Sequence, residues 1–218
     1  MEQTEAEFLR TYDASRYPRP SVTTDTALFA CRDDALVLLL VRRGGHPCRG
    51  MWALPGGFLN MDETIAACAT RELCEETHRT GLTLCPVGVF DAVGRDPRGR
   101  TISHLFWTIT DTTAGVCADD DAADARWFSV RRTQDGERFT LSLAAGDVTL
   151  SATLCGSRDV CGTMHYSILQ SDGLAFDHAA LLASALDALT SHQNILDALC
   201  PNASRATRFS MARTIAAV

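Results

Sequence analysis

Apolar positions crowd into Thr23 to Cys31 and Ala35 to Arg42 around the polar turn Arg32-Asp33-Asp34, which predicts two strands ended by Gly44-Gly45-His46-Pro47. After Met51 to Pro55 and a Gly-Gly pair the period changes. Ile65, Ala69 and Leu73 recur at i, i+4 and i+8, predicting a helix from about Thr64 to Thr77 with Asp62 as its N-cap. Alternation returns at Leu82 to Phe90, Thr101 to Thr110 and Arg126 to Val130. Phe139 to Leu143, Val148 to Leu154 and His165 to Leu169, separated by turn residues, predict a three-strand meander. Leu181, Leu182, Leu186 and Leu189 then mark a helix beginning at Asp177, and Ser191 to Leu199 predicts a shorter one before Pro201. The first twenty residues are polar and end in Tyr17-Pro18-Arg19-Pro20, where the prolines favour extended chain. The order of elements gives an α+β protein with an arm at 1–20, a main domain at 21–190 carrying a β-rich insertion at 131–173, and a helical tail at 191–218.

Composition narrows the class. The chain has 218 residues, 46% of them hydrophobic and 22% charged, which fits one globular domain with appendages and excludes disordered or fibrous classes. The longest apolar run, Ala35 to Val41, falls far short of the roughly twenty residues of a membrane span, and the acidic N-terminus does not read as a signal peptide. A net charge of −7 argues against an extended nucleic-acid surface. All twenty cationic side chains are Arg, and the nine Cys form no C-x-x-C pair, so they read as buried or incidental thiols of a cytoplasmic protein.

The chemistry concentrates in one stretch. On the predicted helix Glu72, Glu75 and Glu76 fall at i, i+3 and i+4, so three carboxylates share a face with only Arg71 to answer them. Like charges so placed repel, and the excess invites a cation. Carboxylate oxygens suit a hard ion such as Mg²⁺, which completes its shell with substrate phosphate oxygens. No nucleophile elbow, P-loop or dinucleotide fingerprint competes with this site.

From Gly57, five residues lead to Glu63, seven more to Arg71-Glu72, then Leu73, one residue, and Glu75-Glu76, preceded by Gly50-Met-Trp-Ala-Leu-Pro-Gly-Gly-Phe58. This spacing resembles the Nudix box, G-x5-E-x7-R-E-U-x-E-E-x-G-U, of the Nudix hydrolases. The match departs at its end, where His78 and Arg79 stand in place of glycine and an aliphatic residue; Gly81-Leu82 follow as if three residues were inserted, with Gly81 ending the helix a turn late. Arg95-Asp96-Pro97-Arg98-Gly99-Arg100 resembles a segment of the subgroup containing ADP-ribose pyrophosphatases and ADP-ribose-sensing Nudix regulators, as do Arg126-Trp127-Phe128 and Leu174 to Ala179.

The resemblance implies a mixed β-sheet sandwiched by helices, with the meander as an insertion. It further implies Mg²⁺, or Mn²⁺, on Glu72, Glu75 and Glu76 with the Gly57 carbonyl, Glu63 supporting the loop or a second metal, Arg71 orienting the glutamates, and one of these glutamates or a loop carboxylate acting as base toward the attacking water. Arg42, Arg49, Arg95, Arg98 and Arg100 are candidate phosphate or ribose contacts, since guanidinium forks match such oxygens. Arg43 brackets the same turn, Trp52 either stacks on a base or packs in the core, and Asp119 to Asp121 either supply a base or form a solvated loop. His178 reads as a helix N-terminal hydrogen-bonding residue rather than a catalytic one. The implied activity is hydrolysis of a diphosphate bond in a nucleoside diphosphate derivative, ADP-ribose to AMP and ribose 5-phosphate, by a homodimer. The alternative is an ADP-ribose-sensing regulator; Asn194 to Pro201 resembles the approach to a winged helix, but the seventeen residues after Pro201 are too few for one.

Overall fold

A computed structural model describes residues 3–33, 35–114, 122–192 and 194–195. Its frame is one mixed sheet built from β1 (Ser21–Arg32), β2 (Ala35–Arg43), β3 (Trp52–Ala53), β4 (Gly56–Phe58), β5 (Cys85–Phe90), β6 (Thr101–Ile109), β7 (Ala122–Asp135), β8 (Arg138–Ala145), β9 (Val148–Arg158) and β10 (Met164–Asp172). The strands lie in the order β10-β9-β8-β7-β2-β1-β6-β5, with β3 beside β2 and β4 beside β1. The β1–β6 pair is parallel and the others are antiparallel.

Strand β2 and the second half of β1, residues 27–31, read as continuous apolar runs because both of their faces are covered, whereas Thr23, Thr24, Asp25 and Thr26 make the first half of β1 polar. Ala27, Phe29, Leu38 and Leu40 pack in one core with Leu181, Leu182 and Leu186 of helix α3 (His178–Thr190). Leu28, Ala30, Val37 and Leu39 pack in a second with Leu73 of helix α2 (Ile65–Thr77). Burying each such side chain contributes about 1.5–3 kcal/mol, so the two helices are held on opposite faces by alternate residues of the same strands.

Several boundaries differ from expectation, each for a local reason. Helix α2 is capped by Thr64, whose hydroxyl accepts from Ala67 N at 3.2 Å, not by Asp62. It ends on time: His78 takes the left-handed conformation at φ 55° and its N–H donates to Cys74 O at 2.8 Å. A non-glycine residue thus fills the helix-ending position, and Gly81, with φ 72°, belongs to the following turn rather than to a prolonged helix. Strand β5 starts at Cys85 rather than Leu82, because Leu82 and Leu84 are spent as loop residues against the second core.

Within the expected arm, Glu5–Thr11 is a helix (here α1) whose Thr4 and Glu7 form a reciprocal capping box. Strand β7 runs through position 131 without a break, and the meander strands β8, β9 and β10 extend the central sheet. They pack on α3 through Phe139, Leu141, Leu143, Leu150 and Leu154. Arg132, on β7, is buried there and donates to Asp187 Oδ1 and Tyr166 Oη, both at 2.6 Å, while Tyr166 donates to Asp187 Oδ2 at 2.6 Å.

Cys48, Cys68, Cys74, Cys85, Cys155 and Cys161 are free, but Cys31 is disulfide-bonded, which corrects the expectation of thiols throughout. Among the described residues no helix is long and apolar enough to cross a membrane. Asp119 to Asp121 and most of the expected Ser191 to Leu199 helix lie outside the described residues.

Candidate active site

The Gly56-Gly57 pair brings β4 against β1 on one side and α2 on the other. A side chain on Gly56 would collide with the β1 backbone at Thr24 and Asp25, and one on Gly57 would fall on the Glu72 carboxylate. Only glycine allows this approach, which leaves backbone groups where a side chain would otherwise stand. The Gly56 N–H donates to Glu76 Oε2 at 2.8 Å, fixing that carboxylate beside the glycines.

Arg71 gathers the rest of the acidic face. Its guanidinium donates to Glu63 Oε1 at 2.6 Å and Oε2 at 3.0 Å, to Glu72 Oε1 at 2.7 Å, to Glu75 Oε2 at 3.0 Å and to Phe58 O at 3.1 Å. Glu63, held by Arg71 and by the Asn60 N–H, has its pKa drawn down to about 2. Burial has the opposite effect on the other glutamates. It raises the pKa of Glu72, and pushes that of Glu76 up to about 8, with Glu72 and Asp25 adding like-charge repulsion. Glu76 keeps some exposure, and that exposure is to a cleft walled by protein.

The cleft, about 570 Å³, is lined by Glu72, Glu75, Glu76, Arg71 and Gly57 together with Arg42, Arg43, Arg95 and Arg98. Its arginines are not equivalent. Arg98 pairs with Asp96 at 2.7 Å and lies over the Phe58 ring at 5.0 Å and the Phe176 ring at 5.8 Å; Arg43 lies over the same Phe176 ring at 4.9 Å. Arg42 donates to Gly50 O at 3.0 Å. Arg95 is buried and committed to Asp177 by two hydrogen bonds of 2.8 Å, which leaves it a wall of the cleft more than a free fork. Arg100, which donates to Asp91 O at 2.5 Å, and the exposed Arg49 are not among the cleft-lining residues. Trp52 packs in the core edge-on to Phe128.

Sequence reading missed Asp25. It sits in an apolar strand, buried, with Oδ2 accepting from the Ser103 hydroxyl and 3.9 Å from Arg95. The available signal was a carboxylate among threonines leading directly into the apolar run from Ala27, a placement in a buried strand tolerated only with partners. His178, the first residue of α3, is buried beside it, and its Nδ1 accepts from the Leu54 N–H at 3.0 Å, a hydrogen bond at the helix N-terminus as expected.

Among the described residues, no group of three or more His, Cys, Asp or Glu side chains is already arranged to hold a metal ion. The donor chemistry nonetheless fits a hard cation: Glu72 and Glu76 are carboxylates disfavoured as anions by burial and by each other, and the bare Gly57 backbone lies directly against Glu72. A cation would relieve both penalties.

A helix-flanked mixed sheet with this glycine-to-glutamate arrangement agrees with the comparison to known families. The NUDIX domain model matches residues 22–144, so the chain belongs to the NUDIX family. It is 36% identical over 130 residues, 59% of this chain, to the ADPR responsive transcriptional repressor NtrR of Acinetobacter baylyi, and covers 52% of that protein. It is likewise 36% identical over 115 residues, 52% of this chain, to the ADP-ribose pyrophosphatase of Methanocaldococcus jannaschii, and covers 64% of it. The chain therefore spans between about half and two thirds of the length of these two curated relatives. The NUDIX domain of Shewanella oneidensis NrtR, solved with ADP ribose, is 27% identical with a TM-score of 0.62, over 85% of this chain and 99% of that one.

Proposed function

We propose that the cleft hydrolyses a diphosphate bond in a nucleoside diphosphate derivative, with ADP-ribose, cleaved to AMP and ribose 5-phosphate, as the leading substrate. The observation that carries this reading is the set of desolvated glutamates, Glu72 and Glu76, lining one cleft together with Arg42, Arg43 and Arg98. The name of the Methanocaldococcus relative supports the choice of substrate.

Glu72, Glu75 and Glu76, with the Gly57 carbonyl, would hold Mg²⁺ or Mn²⁺, which when bound supplies charge neutralisation at phosphate oxygens and a more acidic water. Arg71 keeps Glu72 and Glu75 oriented, and Glu63 in turn orients Arg71. Glu76, held in place by the Gly56 N–H, would be ionised beside the cation, where it serves as a ligand or as the carboxylate that accepts the proton of the attacking water. Arg42 and Arg43 offer guanidinium donors to the diphosphate; Arg98, whose Nε and Nη2 are held by Asp96, offers its Nη1, and the Phe58 and Phe176 rings lie against its plane. Arg49 and Arg100 are assigned no contact.

Product analysis with pure protein, Mg²⁺ or Mn²⁺, and a panel of ADP-ribose, NADH, dinucleoside polyphosphates and nucleotide sugars tests the reading. Release of AMP and ribose 5-phosphate from ADP-ribose alone is expected; selective turnover of another member would discard the substrate and keep the reaction. The second reading, an ADP-ribose sensor, is favoured by the repressor relative and by the NrtR domain solved with ADP ribose. ADP-ribose binding without turnover, together with a DNA gel shift, would move the function there. We also propose a homodimer, which light scattering checks.

A further inference from the structure

One pair of cleft residues is used by none of these steps. Asp25 on β1 and His178 at the start of α3 both line the cleft, with side chains 10% and 7% exposed. Their partners on the protein side are settled. Asp25 Oδ2 accepts from Ser103 Oγ and lies 3.9 Å from Arg95. His178 Nδ1 faces the Leu54 backbone N–H, a group that can only donate, so Nδ1 is an acceptor without a proton and the neutral ring carries its hydrogen on Nε2. Burial favours that neutral form by lowering the histidine's pKa.

This leaves a bare acceptor, Asp25 Oδ1, and a bare donor, His178 Nε2–H, facing each other at 3.9 Å. The gap is too long for a hydrogen bond between them. A single oxygen about 2.8 Å from each fits the gap with the two bonds near a right angle, a place that a water fills in the free protein and a ligand hydroxyl can take over, since each both donates and accepts. Neither atom is among the sealed, unpartnered polar atoms of the interior, so both open on the cleft.

We infer that Asp25 and His178 recognise a sugar hydroxyl of the nucleotide ligand, the hydroxyl donating to Asp25 Oδ1 and accepting from His178 Nε2–H. The inference rests on the reading of the cleft as a site for nucleoside diphosphate derivatives. It makes the pair a determinant of specificity: a ligand with hydrogen in place of that hydroxyl leaves a buried donor and a buried acceptor unpaired at once, a strong penalty in a site built to bond an OH.

The test compares ADP-ribose with analogues deoxygenated on the adenosine ribose or on the distal ribose, reading kcat/KM where the ligand turns over and Kd where it only binds. In the unsubstituted protein one deoxy analogue is expected to be weaker by at least about 30-fold, and in Asp25→Asn, which turns the acceptor into a donor, that difference shrinks to within about 3-fold. Equal loss on all ligands in the variant, or no discrimination in the unsubstituted protein, would overturn the inference. Absence of any ADP-ribose binding would instead sink the reading of the cleft. Should Asp25→Asn fail to fold, ¹⁵N-histidine spectra of the unsubstituted protein still decide. An Nε2-protonated ring whose resonance moves with ADP-ribose and not with the discriminated analogue is expected; an Nδ1-protonated or unmoved ring would refute the pairing.

Discussion

Arg71 and Arg132 each sit at the centre of a hydrogen-bonded cluster, and the two clusters are balanced differently. Arg132, 3% exposed, meets one carboxylate, Asp187, and one phenol, Tyr166, whose pKa is raised by burial and by that carboxylate so that it stays a donor. Charge cancels, and both terminal nitrogens of the guanidinium have a partner. Arg71, 28% exposed, meets three carboxylates, Glu63, Glu72 and Glu75, with Glu76 close by, so the cluster is left negative beside an open cleft. A neutral, closed network ties the meander to α3; an over-charged, open one is what a cationic ligand or a proton transfer can use. An arginine among acids is thus informative only once its charges are counted.

The sharpest way to break this division is Glu76→Gln. We expect turnover to fall about 10³-fold with the fold intact by circular dichroism; full activity would remove Glu76 from the chemistry. The same variant sharpens the contrast in metal-free protein. With its folded pKa near 8 against 4.5 for the free side chain, Glu76 holds a proton that the unfolded chain has released between those values, so stability falls as pH rises through that window. Chemical denaturation from pH 5 to 8 should show that slope in the unsubstituted protein and a flatter one in Glu76→Gln.

Arg132→Ala should do the converse, costing about 3 kcal/mol in denaturant unfolding because Asp187 loses its partner, with kcat unchanged. A matching loss of kcat would mean that the two networks are not separate. Gly57→Ala, which drives a methyl group onto Glu72, should lower activity about 10²-fold by displacing one carboxylate while leaving melting temperature within a few degrees. Glu63→Gln is the mildest. Its pKa of about 2 against 4.5 means stability fully present above pH 4.5 and lost as pH falls toward 2, so acid titration of the variant should lack that part of the decline.

Much of this was legible in one dimension because it is local. The i, i+3, i+4 glutamates, the glycine before them and the apolar spacing of Ile65, Ala69 and Leu73 lie within twenty residues. What escaped was set by distant partners. Arg95 reads as a phosphate-binding fork until Asp177, 82 positions away, takes both of its bonds. Asp25 shows in the sequence only as an acid among threonines, because Ser103 and Arg95, which make its burial tolerable, come from elsewhere in the chain. The meander was recognisable as strands by alternation, yet its continuity with β7 and the rest of the sheet is a long-range pairing that no local pattern encodes. The short helix α1 was hidden by the prolines that follow it, although Thr4 and Glu7 spell its capping box.

The Leu54 N–H donates not to another backbone oxygen but to the imidazole of His178, 124 positions along the chain. Its exchange with deuterated solvent therefore requires the start of α3 to part from the segment leading into the glycine pair, whatever the rest of the sheet does. That one amide is a clock for the separation of the cleft's two walls, and a ligand that bridges them should slow it more than its neighbours.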